Sequence, residues 1–175
     1  SIMAESGLPQ DPSPSSPTAL GSGPDAILQP AEADGGQAGR LTVYLPAIRR
    51  PESAEEALLA AINRTRAARG CAALAADAKL AHAAQVHSQD MADHHLLTHD
   101  GSDGSDLSDR VLREGYVYAY VGEAIAYWEG VSPDEVLDLW LASQGHEHIL
   151  LNCTAEEGGA AYVEGYWTMV VASEL

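Results

Sequence analysis

Apolar residues recur along this chain with two different periods, and each change of period marks an element. From Ser53 the spacing is helical. Ser53 and Glu56 form a capping-box pair, Leu58, Leu59 and Ile62 supply an inner face, and Gly70 stops the run. A second helix is predicted from its cap at Asp77 to His94, with Leu80, Ala84, His87 and Met91 on one stripe. His87 therefore points inward as a hydrogen-bonded core histidine, whereas His82, His94 and His95 fall at the surface or at the helix end. A Gly- and Ser-rich loop then leads to a short third helix, about Asp106 to Glu114. Residues 115–121 alternate aromatic with small apolar side chains, and 122–128 continue as a mostly apolar strand, so the period has become that of an extended chain.

The firmest helix signal comes next. Ser132 can cap, Pro133 sits where a missing N–H costs nothing, and Glu135 completes a second capping box. Val136, Leu137, Trp140 and Leu141 form its stripe. Gly145 is expected to end it, which leaves His146 just beyond the end of a rigid post and 148–152 as a short turn. The remaining apolar run reads as a β-hairpin turning at Glu164-Gly165. Helices gathered around an antiparallel sheet give an α+β class with layered architecture.

Composition divides the chain. Residues 1–40 are poor in bulky apolar side chains and rich in Pro, Ser, Gly, Asp and Ala, so they cannot bury enough surface to offset chain entropy. A short β-like run, 41–45, ends at Pro46. We therefore assign 1–50 to a flexible spacer with a short edge segment and 51–175 to one domain. The chain opens on Ser, without a signal-peptide pattern, and its first residues read as a tag remnant on a mature or trimmed chain. No apolar run is long enough to span a bilayer.

Charge narrows the partners. The formal net charge is −17, with five acids against three bases in 1–50, twenty-one against six in 51–175, and no Lys or Arg after Arg113. Nucleic acid and anionic membrane surfaces both require cations, so neither is expected as a partner. A metal cation or a neutral ligand suits this field.

Candidate chemistry lies in a few side chains. Glu123 sits within an apolar strand, where a charge is costly unless paired. It needs a metal, a histidine or a hydroxyl. Asp100, Asp103 and Asp106 are three apart, which fails the spacing of a calcium-binding EF-hand and fits turn and cap chemistry. The two cysteines, Cys71 and Cys153, are compatible with free thiols, a disulfide or a metal pair, and the lack of a Cys-x-x-Cys spacing excludes a zinc knuckle. A disulfide is our expectation. It would close a loop of roughly 80 residues, stabilise the fold by about 4 kcal/mol and place the chain in an oxidising, secreted setting.

Taken in order, LLAAINRTRAARGC, AHAAQVHSQDMA, THDGSDGSDLSDR, GEAIA, the SPDEV…W…S-x-GH block and YWTMVV resemble the SCP-like (CAP) superfamily in its bacterial secreted branch, over roughly residues 52–172. That superfamily includes cysteine-rich secretory proteins, antigen 5 allergens and pathogenesis-related proteins of group 1. The resemblance implies a three-layer α-β-α sandwich with a central, mostly antiparallel sheet, and a cleft holding two histidines and acidic residues. Carried over by position, the histidines are His99 and His146 and the first acid is Glu123, with Ser143, Trp140 and His148 lining the cleft. Bacterial members often carry cysteines at the places of Cys71 and Cys153. The chain departs from the pattern at Ser143, where the second acid would stand, and at Ala124, Gln144 and Met169, where Asn, Pro and Gln are common.

Two neutral imidazoles and a carboxylate make a common divalent-metal set, and Zn²⁺ is its natural occupant. The expected function is an extracellular binding module, monomeric, holding a metal and a small-molecule, lipid or protein ligand. The alternatives are a metal-dependent hydrolase of peptidase or cell-wall type, with Glu123 as general base, and a non-catalytic structural surface protein. No Gly-x-Ser-x-Gly nucleophile elbow is present.

Overall fold

The computed structural model describes residues 53–175. The expected spacer, 1–50, and its edge run, 41–45, lie outside the described residues. Helix α1 spans Ala54–Ala68 and starts at the predicted capping box. After the two-residue strand β1 (Ala75–Ala76) comes α2, Ala78–His94, with Asp77 accepting from the amides of Lys79 and Leu80. Helix α3 is Leu107–Arg113, capped reciprocally by Asp106 and Asp109. Strand β2 (Tyr118–Tyr127) leads to α4, Pro133–Leu141, whose capping box joins Ser132 and Glu135. Helix α5 (Gln144–Leu150) precedes the hairpin of β3 (Glu157–Val163) and β4 (Tyr166–Glu174).

The four strands are ordered β1-β3-β4-β2. Only the β1–β3 pair is parallel. At the hairpin, Glu164 and Gly165 both take positive φ, 46° and 90°, as the predicted two-residue turn requires.

Strand β4 shows why the sheet needs a layer on each face. Trp167, Met169 and Val171 join α1, α4 and α5 in one core with Leu58, Ile62, Val136, Leu137 and Trp140. The alternate residues Val170 and Ala172 join α2 and α3 in a second core with Leu80, Ala84 and Val111. Successive side chains of a strand point to opposite faces, so a strand buried from Tyr166 to Ala172 requires apolar cover on both sides. The result is the expected α-β-α sandwich. Gly159 lets α2 approach β3 most closely, because a Cβ there would run into the backbone of Leu80 and Ala81.

One boundary differs from expectation. Helix α4 ends at Leu141, with Ala142 as its C-cap, before Gly145, and Ser143 adopts an extended conformation (φ −103°, ψ 118°) that starts α5. Gly145, His146 and His148 are therefore helical, and the stretch expected to be a turn at 148–152 is helical as far as Leu150. A glycine in a first helical turn costs little when the helix is anchored elsewhere. Here Leu150 is buried in the core beneath α5.

The α1 terminus is held to the loop after α5 by two means. Cys71 and Cys153 form the expected disulfide, 82 residues apart in the chain. Beside it, the buried guanidinium of Arg66 donates to the carbonyls of Ala72, Leu150, Asn152 and Ala155.

Candidate functional site

Glu123 lies midway along β2, opposite Val170 of β4, with its side chain 2 % exposed. Arg110 of α3 donates from Nη2 to its Oε2 at 2.8 Å, and the ring Nδ1 of His99 is 2.8 Å from its Oε1. Burial alone would push the Glu123 carboxyl upward, but the hydrogen bond from His99 and the charge of Arg110 outweigh it and hold the group below the usual range, ionised at neutral pH.

Arg110 does more than neutralise this carboxylate. Its Nη1 donates to the carbonyls of His99 and Ser105, so α3 also ties down the loop that carries the histidine. A carboxylate only accepts, so Nδ1 of His99 carries the proton of this hydrogen bond. His99 has a side chain 55 % exposed, and its ring is oriented by a buried partner.

His146 stands on the first turn of α5 and is half-buried. Burial, and next the charge of His99, push its pKa down. Of the three residues singled out from the sequence, His99 and Glu123 are in direct contact. Their roles differ from a simple ligand set, because both oxygens of Glu123 are already committed. Among the described residues, no three His, Cys, Asp or Glu side chains come together in a way that could hold a metal ion. The expected set of His99, His146 and Glu123 thus does not fit a three-ligand zinc centre.

The cleft-lining expectations resolve unevenly. Ser143 is partly exposed at the start of α5, and its hydroxyl makes no capping bond there. His148 is exposed. Trp140 is buried, 1 % exposed, and its indole N–H donates to the carbonyl of Ile125, which pins α4 to β2.

Two residues of this neighbourhood were not anticipated. Arg110 gave no signal beyond being one of the last two cations along the chain. His87 was read correctly as an inward histidine but not as a neighbour of Glu123. Its Nε2 lies 2.8 Å from the carbonyl oxygen of Thr98 and 3.8 Å from Oε1 of Glu123.

The profile of the cysteine-rich secretory protein family (CAP) matches residues 59–171. The chain belongs to the CAP family. It is 31 % identical over 116 residues to the uncharacterized protein YkwD of Bacillus subtilis, a match covering 65 % of this chain and 45 % of the relative. It is 33 % identical over 117 residues to the uncharacterized membrane protein YlbC of the same organism, covering 66 % of this chain and 33 % of that one. The CAP domain thus spans less than half the length of these curated relatives. Among solved structures, an extracellular protein containing a SCP domain from Bacillus anthracis superimposes with a TM-score of 0.66 at 27 % identity, covering 69 % of this chain and 40 % of that one. An outer surface protein of Borrelia burgdorferi shares the fold at a TM-score of 0.62 and 18 % identity, covering 67 % of this chain and 90 % of that one. Among the described residues, no helix of this CAP domain is long and apolar enough to cross a membrane.

Proposed function

We propose that this CAP domain is an extracellular binding module without hydrolytic chemistry of its own, which takes its ligand at the surface marked by His99 and His146. The observation that carries the reading is the double engagement of Glu123. A general base needs a free oxygen and a pKa near the working pH. Glu123 has both oxygens occupied, by His99 and Arg110, and a carboxyl held low. It serves instead to orient the His99 ring.

The ligand class follows from what is presented. Two imidazoles suit a neutral molecule with hydrogen-bonding groups, or a divalent cation held by two nitrogens and solvent. Glu123 would then stand behind the ligating ring, as carboxylates commonly do. With only two protein ligands, such a cation site is weak and exchangeable. The Cys71–Cys153 disulfide and the likeness to an extracellular SCP-domain protein support an extracellular setting.

The test is calorimetric titration of the full chain with zinc, wild type against His146→Ala, alongside assays on ester, peptide and peptidoglycan substrates. Micromolar or weaker binding that the substitution abolishes, with no turnover, is the expected result. A turnover that His146→Ala removes would refute the non-catalytic reading. Binding of zinc in the nanomolar range would refute the two-ligand site.

A further inference from the structure

At the β3–β4 turn the sheet ends in a small aromatic platform. The chain has three tryptophans. Trp140 and Trp167 are 1 % exposed, whereas Trp128, just past β2, is 43 % exposed and its neighbour Tyr127 is 49 % exposed. Both are held in place. The amide of Trp128 donates to the carbonyl of Gly165 at 2.8 Å, and its own carbonyl accepts from the indole N–H of Trp167. The Tyr127 ring lies 4.6 Å from that of Tyr166, centroid to centroid, and its hydroxyl donates to Glu129 at 2.9 Å. A Cβ at Gly165 would strike both the Tyr127 ring and the Glu129 side chain, so these two close over the turn.

Two large aromatic side chains left half exposed on a fixed backbone have the makings of a docking surface. Trp and Tyr offer much contact area and a polar handle, and they are enriched among the residues that dominate interface energies. Because the free protein already holds them in order, association loses less entropy.

Charge selects the occupant. The segments that build this platform, 127–131 and 163–166, carry two carboxylates, Glu129 and Glu164, and no Lys, Arg or His. Both acids are exposed, and Glu129 is engaged by a hydroxyl and not by a cation. Across 51–175 acids outnumber bases by twenty-one to six, so the surrounding field draws cations in and does nothing for a neutral guest. A cation over an aromatic face is attracted by the ring quadrupole. A guanidinium can both stack on such a face and fork onto a carboxylate, which an ammonium cannot.

We infer that Tyr127, Trp128, Glu129 and Glu164 form a docking surface for an arginine-rich segment of a partner protein. The platform begins four residues beyond Glu123 on β2, about 13 Å along the strand. It is therefore independent of the imidazole pair and of the function proposed for it.

The test is titration of the ¹⁵N-labelled full chain with octaarginine at low salt, followed by amide shifts and by tryptophan fluorescence. With Trp140 and Trp167 buried, the fluorescence change reports Trp128. The expected result is saturable binding that added salt weakens, with the largest shifts at 127–131 and 163–166. Trp128→Ser should weaken binding about fivefold. Glu164→Gln should weaken it more than Asp93→Asn, an equal loss of charge on the exposed end of α2. Chitohexaose, a neutral oligosaccharide able to stack on the same rings, should not saturate. Shifts of equal size at acidic residues all over the domain would overturn the proposal. So would unchanged affinity in a folded Trp128→Ser chain, equal effects of Glu164→Gln and Asp93→Asn, or saturation of these residues by chitohexaose. The wild-type shift map decides the matter even if Trp128→Ser fails to fold.

Discussion

Arg110 and Glu123 meet at 2.8 Å inside the fold, with only 4 % and 2 % of their side chains exposed. The pair joins α3 to β2, and through His99 it fixes the one loop that brings an imidazole to the surface. Removing one member of a buried pair leaves the other charge without compensation. Arg110→Met should therefore lower unfolding stability by about 3–5 kcal/mol in urea titrations. The double substitution Arg110→Met/Glu123→Leu should recover part of that loss. A double variant less stable than Arg110→Met alone would show that the cost comes from packing and not from the stranded carboxylate.

Arg66 presents a different buried cation. Among the described residues no carboxylate pairs with it. Four carbonyl oxygens, one from the segment after α1 and three from the end of α5 and the segment beyond it, satisfy it at 2.8–2.9 Å. Arg66→Met keeps most of the volume but strands buried carbonyls, each worth about 1–3 kcal/mol. A loss of about 3 kcal/mol or more is expected, and Arg66→Lys should restore little of it, since an ammonium cannot reach in the same fork. Wild-type stability in Arg66→Lys, measured by thermal and chemical unfolding, would count against this account.

The disulfide should act mainly on the unfolded chain. Its 82-residue separation corresponds to about 4–5 kcal/mol on the chain-entropy model. Cys71→Ala/Cys153→Ala should lose that much in equilibrium unfolding while keeping a native near-ultraviolet circular dichroism spectrum, because Arg66 still holds the same joint. Collapse of that spectrum at neutral pH would mean that the covalent link is required to build the native state.

His87 makes folding sensitive to mild acid. Burial lowers its pKa, Glu123 of β2 pulls it back up, Arg110 of α3 pushes it down again, and Asp90 on its own helix adds a small upward pull. A depressed folded pKa means that the unfolded chain binds the proton first. The stabilisation is therefore fully present above about pH 6.5, the ordinary imidazole value, and is lost as the pH falls toward the lowered folded one. Stability measured by urea unfolding from pH 7.5 to 5 should decline less steeply in His87→Gln than in the wild type. Equal slopes would remove His87 as the cause.

Local signals account for most of what the chain order reveals. The caps at Ser53, Asp77, Asp106 and Ser132 and the Glu164-Gly165 turn are chemistry between neighbours, so they can be read from residue types at fixed offsets. The break between α4 and α5 misled because Gly145 is a strong stop signal. The real interruption is one extended residue, Ser143, followed by a helix whose burial depends on α1 and the sheet. At the site, Glu123 signalled a need for a partner, and His99 supplied half of it. The other half came from Arg110, which only tertiary folding brings near. Arg66 could have been found, since it continues the stripe of Leu58 and Ile62 at a four-residue interval, where a cation must be buried or break the pattern.

The backbone-to-backbone seat of α2 on Gly159 has a further effect. A helix resting on side chains can be displaced by letting them change rotamer. Here there is no such cushion, and α2 cannot slide or sink without breaking the strand beneath it. A ligand that meets this domain beside the seat of α2 therefore meets a receptor whose dimensions are set in advance, so selection must come from the shape of the guest and not from accommodation by the host.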